Sequence, residues 1–114
     1  MVTIYHNPRC SKSRQTLALL EENNIEPEVV LYLDTPPSAA TLKDLLGKLG
    51  ISARELLRSG EDAYKENNLK DKALSDEQLI EAMVAHPKLI QRPIVVKGDK
   101  AVLGRPPENA LELI

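Results

Sequence analysis

The spacing of apolar positions changes several times along this chain, and each change marks an expected element. Residues 2–5, Val-Thr-Ile-Tyr, alternate weakly and are rich in β-formers, which predicts a first strand. Asn7-Pro8 breaks it. From Ser11 the pattern becomes helical through Leu17 and Leu20, with a stop expected at Asn23-Asn24. Residues 29–33, Val-Val-Leu-Tyr-Leu, form a continuous apolar run of strand length, the pattern of a central strand covered on both faces. Strand, helix and strand in that order make a βαβ unit, so the two strands are expected to be parallel with a right-handed crossover.

Beyond the loop at Asp34-Thr35-Pro36-Pro37 the period is helical again. Leu42, Leu45, Leu46 and Leu49 lie at i, i+3, i+4 and i+7, the stripe of an amphipathic helix, and Gly50 is its expected stop. Ser52-Ala53-Arg54-Glu55 and Ser75-Asp76-Glu77-Gln78 each fit the capping box, so each is expected to open a helix. The second runs through Leu79, Ile80, Met83 and Val84 and ends before Pro87. Residues 38–86 therefore read as wholly helical, about three short helices. Pro93-Ile94-Val95-Val96 returns to strand, Gly98-Asp99 signals a two-residue turn, and Ala101-Val102-Leu103 is expected to pair back antiparallel. Pro106-Pro107 opens a last short helix. The reading is one α/β domain over residues 1–114, with a helical insert at about 38–86 between strands 2 and 3.

Composition narrows the function classes. The chain has 114 residues, no Phe and no Trp, so the core is aliphatic. The net charge of −2 is scattered, which gives no case for nucleic acid or an anionic membrane as partner. No apolar run is long enough to span a bilayer and no secretory signal is visible, so a reducing cytoplasm is the expected location. One Cys and two His are too few for a closed Cys/His zinc site, and no bound metal is expected.

The single cysteine is where chemistry is expected. Cys10 falls between a strand and a helix start, where free N–H groups and the helix dipole favour an anion such as a thiolate. Making thiolate the major form at pH 7 needs a drop of ~2 units from ~8.5, roughly 2.7 kcal/mol. A helix end ordinarily supplies ~0.3–1 kcal/mol, so cations or further hydrogen bonds must supply the rest. The local candidates are His6, Arg9, Lys12 and Arg14. Ser13 completes C-x-x-S: it is placed to donate a hydrogen bond to the sulfur but cannot resolve a disulfide, so an outside thiol such as glutathione is required. The bland alternative is a small buried hydrophobe, the ordinary role of a lone Cys. Taken singly, Arg58, Arg92 and Arg105 read as surface charges, and His86 as an exposed loop residue. Tyr5, Tyr32 and Tyr64 read as packing groups with wet hydroxyls.

Taken together, "IYHNPRCSKSR" at 4–14, "VLYLDTPP" at 30–37, "ISARELLRSGEDAY" at 51–64, "HPKLIQRPIVV" at 86–96 and "GRPPE" at 104–108 resemble the ArsC family, the glutathione- and glutaredoxin-coupled arsenate reductases and their close relatives. The resemblance covers nearly the whole chain in order. It implies a thioredoxin-like fold: a mixed four-stranded sheet with a helical insert. It implies Cys10 as nucleophile, His6 as the histidine that tunes it, Ser13 as the supporting serine, and Arg58, Arg92 and Arg105 as the guanidiniums that hold an oxyanion and the thiolate. Pro93 matches the position of the cis-proline that faces the cysteine in such folds. The implied activity is reduction of arsenate through a thioarsenate adduct, with glutathione as co-substrate, glutaredoxin as partner and no bound cofactor. The chain departs from the family's usual C-G-T-S-R in having Ser11 and Lys12, and it stops at Ile114, without the C-terminal extension common in those enzymes. Two alternatives stand beside arsenate reduction: a monothiol glutathione-dependent thiol-disulfide oxidoreductase, which shares the C-x-x-S site, and a non-enzymatic regulator of the Spx type, which resembles this chain in fold but usually carries a C-x-x-C that Ser13 removes.

Overall fold

The computed structural model describes all 114 residues, as two compact units: Met1–Thr35 with Arg92–Ile114, and Pro36–Gln91.

The first unit is built on a four-stranded mixed sheet of order β2-β1-β3-β4. Strand β1 (Val2–Tyr5) sends Val2 and Ile4 into the core, while Thr3 and Tyr5 are half-buried. Helix α1 (Ser11–Glu22) carries the chain to β2 (Glu28–Val30), which lies parallel to β1. Strand β3 (Ile94–Lys97) lies antiparallel to the other side of β1, and β4 (Lys100–Leu103) folds back on β3. The β3–β4 turn is two residues long. Gly98 takes φ +61°, a conformation that L side chains rarely adopt, which explains a glycine at its first position. A 3₁₀ segment, Pro107–Leu113, packs on α1, β3 and β4 and delivers buried Ala110 to the core of Val2, Ile4, Leu20 and Val95.

Strand β2 differs from the expected covered central strand. It ends at Val30, it is a sheet edge, and Val29 and Leu31 are 43% and 40% exposed. The chain leaves the sheet there in a turn, with the amides of Asp34 and Thr35 donating to the Leu31 carbonyl. Only Tyr32 of that run is fully buried, and its hydroxyl is buried too rather than wet.

The second unit contains four α-helices rather than about three, α2 (Ala39–Leu49), α3 (Ala53–Leu56), α4 (Asp62–Glu66) and α5 (Asp76–Ala85), followed by a 3₁₀ turn at Pro87–Leu89. Gly50 stops α2 at φ +70°, in the left-handed region that favours glycine. Both capping boxes form, at Ser52/Glu55 and Ser75/Gln78. Helix α5 packs against α2 and α3, and Leu42, Leu45, Leu56, Leu79, Ile80 and Met83 are buried. Residues 67–74 are turns, pinned by Arg54, whose guanidinium donates to the carbonyls of Leu69 (2.8 Å) and Asp71 (2.9 Å). No helix is long and apolar enough to cross a membrane.

Candidate active site

The loop between β1 and α1 holds Cys10 through a short run of internal hydrogen bonds. The Asn7 carbonyl accepts from the Cys10 amide (3.0 Å), and Asn7 Oδ1 accepts from the Arg9 amide (3.0 Å). Buried Asn7 thereby closes two turns at once, the behaviour that makes Asn common before a proline turn. Its own amide donates to Ser13 Oγ at 3.0 Å, which ties the loop to the first turn of the helix. Cys10 is the N-cap of α1, with extended backbone (φ −92°, ψ 123°), and its carbonyl accepts from the Arg14 amide at 3.0 Å.

The sulfur is partly buried. Burial pushes the Cys10 thiol up, yet its pKa falls below the ordinary value. The Ser13 amide, a hydrogen bond from the Arg92 side chain, the Lys12 amide and the Arg92 charge together outweigh the burial. The sulfur makes no cap hydrogen bond of regular geometry, so the two amides act on it as the exposed dipoles of a helix end. The cation that acts on Cys10 is Arg92, which stands just before β3, and not the neighbours Arg9, Lys12 or Arg14. Those three side chains are exposed to water. Lys12 contributes through its backbone. Arg14 turns away, donating from Nη1 to the Pro8 carbonyl at 2.9 Å.

Ser13 and His6 also take parts different from those expected. Ser13 Oγ lies 2.6 Å from His6 Nδ1 and accepts from the Asn7 amide, so the fully buried hydroxyl is a strut beneath the loop. It is the Ser13 amide that favours the thiolate. His6 is buried, and burial first, then the Arg14 charge, hold its pKa below the ordinary histidine value. Both effects favour the neutral ring, so His6 is a poor source of positive charge for the sulfur.

Arg105 is exposed and donates from Nη1 to the Arg92 carbonyl at 3.2 Å, which links two of the three expected arginines. Arg92 stands just before β3 and Arg105 just after β4, and the Arg92–Pro93 and Arg105–Pro106 peptides are cis, the first at the expected position and the second not anticipated. Arg58 belongs to the second unit. There its amide donates to the Leu89 carbonyl (2.7 Å), Nη1 donates to Gln91 Oε1 (3.4 Å), and Nε pairs with Glu61 at 3.5 Å. His86 is exposed. No group of three His, Cys, Asp or Glu side chains is gathered to hold a metal ion.

Three residues of this loop system had no assigned role in the sequence reading. Asn7 carried a legible signal, the Asn-Pro turn. Thr16 and Gly104 carried none: their contact joins positions that are remote in the chain.

Comparison with known proteins gives the family of the chain. The chain is 67% identical to the uncharacterized protein YfgD of Escherichia coli (strain K12), over 99% of this chain and 96% of that one. It is 52% identical to an arsenate reductase of Neisseria meningitidis serogroup A, over 95% and 93% of the two chains. The solved structure of an arsenate reductase from Vibrio cholerae superposes with a TM-score of 0.97 at 55% identity, covering 99% of this chain and 97% of that one. The pattern of the ArsC family matches residues 5–113. This chain belongs to the ArsC family.

Proposed function

We propose that this protein reduces arsenate, or a close oxyanion analogue, to its two-electron-reduced form, with Cys10 as nucleophile. The observation that carries this reading is the Arg92 guanidinium hydrogen-bonded to the Cys10 sulfur at the open end of α1. A thiolate there is a competent nucleophile, and the same donors suit the oxygens of a tetrahedral oxyanion. Arsenate reductases among the relatives above make arsenate the first substrate to try.

In this reading the Cys10 thiolate attacks arsenic and one oxygen leaves as water, forming a thioarsenate adduct. Arg92 and Arg105 supply paired N–H donors to the remaining oxygens, and the same role is proposed for Arg58. The chain has one cysteine, so the two electrons come from outside. Glutathione attacks arsenic and displaces a second water, and a second thiol, on glutaredoxin, attacks the glutathione sulfur, takes it up as a mixed disulfide and leaves the electron pair on arsenic; water then cleaves the bond between arsenic and the Cys10 sulfur. Arsenic leaves as arsenite and Cys10 returns as a thiol. The sum consumes two thiols and yields one disulfide and one water. Such chemistry requires a reducing compartment, in keeping with a cytoplasmic location.

The test is turnover of arsenate by the purified protein with glutathione and glutaredoxin. The wild type is expected to produce arsenite, Cys10→Ser to produce none, and Arg58→Ala to raise KM. Arsenite production that survives Cys10→Ser refutes the mechanism. A wild type that is inert with arsenate but reduces a glutathionylated thiol moves the assignment to a monothiol disulfide oxidoreductase.

A further inference from the structure

We propose that Thr16 and Gly104 form a positioning pair that seats the Arg92 guanidinium against the Cys10 sulfur. The proposal deepens the reductase reading, since it rests on Cys10 as the working thiol, but it concerns the sulfur's ionisation and not the substrate.

Thr16 lies on the buried face of α1 and is fully buried. Its hydroxyl donates to the Lys12 carbonyl at 2.8 Å and lies 3.4 Å from the Gly104 carbonyl. Lys12 belongs to the turn whose amides face the sulfur. Gly104 follows β4, and its amide donates to the Pro93 carbonyl at 2.9 Å. Its neighbour Arg105 holds the Arg92 carbonyl at 3.2 Å. The 104–105 segment thus fixes the backbone of Arg92 and Pro93 from one side and meets α1 from the other.

This junction has no slack. A Cβ on Gly104 would stand 2.5 Å from Thr16 Oγ1, 2.7 Å from Pro93 Cγ and 3.0 Å from Thr16 Cγ2. The obstacles are a buried β-branched side chain and a buried proline ring, neither of which is a flexible end that can swing aside. A methyl group there must displace α1, which carries Cys10, or the Pro93 segment, which carries Arg92. Either shift alters the one side-chain contact that favours the thiolate. Gly104 is therefore required by close approach, not by its backbone angles.

The experiment reads the pH midpoint of Cys10 alkylation by iodoacetamide in folded protein, with folding checked by circular dichroism. Gly104→Ala is expected to move the midpoint upward, towards that of Arg92→Ala. In an Arg92→Ala background the same change should add nothing, because the contact it acts through is gone. Thr16→Ser keeps the hydroxyl and is expected to keep the wild-type midpoint. Thr16→Ala leaves the junction loose and should raise it. A folded Gly104→Ala with the wild-type midpoint overturns the proposal, as does a shift of full size without Arg92. Should Gly104→Ala not fold, Thr16→Ala decides: an unchanged midpoint overturns the proposal equally. None of these readouts uses arsenate, so loss of the positioning claim and loss of the substrate assignment are separable.

Discussion

Ser13→Ala tests whether the serine hydroxyl is a strut or a direct partner of the sulfur. The hydroxyl serves two buried groups, His6 Nδ1 at 2.6 Å and the Asn7 amide at 3.0 Å. Alanine leaves both without that partner, in a place water does not reach. Each orphaned buried polar group costs about 1–3 kcal/mol, so the pair costs about 2–6 kcal/mol. A domain has only about 5–15 kcal/mol in hand. At ~2.1 cal/mol/K per residue, 114 residues have an unfolding entropy of about 0.24 kcal/mol/K, so each kcal/mol lowers Tm by about 4 °C. The expected loss is thus about 8–25 °C, with a matching fall in the urea midpoint at unchanged slope. The exposed neighbour Ser11 is the control, since Ser11→Ala removes no buried bond. A second readout separates backbone from side chain. The Ser13 amide, which favours the thiolate, survives in the alanine variant, so the Cys10 alkylation midpoint should move far less than in Arg92→Ala. A stability loss below about 0.5 kcal/mol, the range of ordinary surface changes, would refute the strut. An alkylation midpoint raised as far as by Arg92→Ala would show that the hydroxyl bonds the sulfur itself.

Three further outcomes follow from the same geometry. Arg92→Ala is expected to raise the alkylation midpoint of Cys10, while Lys12→Ala, which removes only an exposed charge and keeps the amide, should leave it close to wild type; titration curves of the two variants decide this. His6 has a folded pKa below its ordinary 6.5, so the unfolded chain takes up its proton first; its stabilising contribution is complete above about pH 6.5 and is lost as pH falls through the folded value. Urea midpoints between about pH 7 and 5 should therefore fall with acidification, and His6→Asn should fall less steeply from a lower start. Ser75→Ala breaks the α5 capping box and should cost about 1 kcal/mol in a denaturant titration without changing the ionisation of Cys10.

The parts of the fold legible in the sequence are those that local chemistry decides. Ser52 and Ser75 announce their helices because a cap is a contact three residues long. Gly50 and Gly98 announce a helix end and a turn because their backbone angles exclude most other residues. The run at 29–33 misleads because apolar composition does not report strand order. An edge strand and a covered one have the same letters, and here the burial belongs to Tyr32 alone, beyond the strand's end. Helix α4 escapes notice because it is five residues long with no buried face. At the site, Cys10 is marked by its place before a helix, and Arg92 and Arg105 only by family likeness. Nothing in the sequence says that Gly104 touches Thr16.

The same distinction governs the chemistry of the sulfur. Arg9, Lys12 and Arg14 are close to Cys10 in sequence, yet their side chains stand in water. There a unit charge about 4 Å away is worth about 1 kcal/mol, against about 4 kcal/mol in the partly screened surroundings of a protein surface. Arg92 is remote in the chain, half-buried, and hydrogen-bonded to the sulfur. Burial of Cys10 opposes ionisation, and a helix end recovers only about 0.3–1 kcal/mol, so the amides of Lys12 and Ser13 leave the thiolate under-stabilised without the guanidinium. The lowered pKa of the sulfur is then a property of the closed sheet, because Arg92 stands just before β3, which pairs with β1. An unfolded chain keeps all the local cations and loses this one contact, and its thiol returns to ordinary behaviour. A reactive thiol in this protein reports the folding of the unit that holds it.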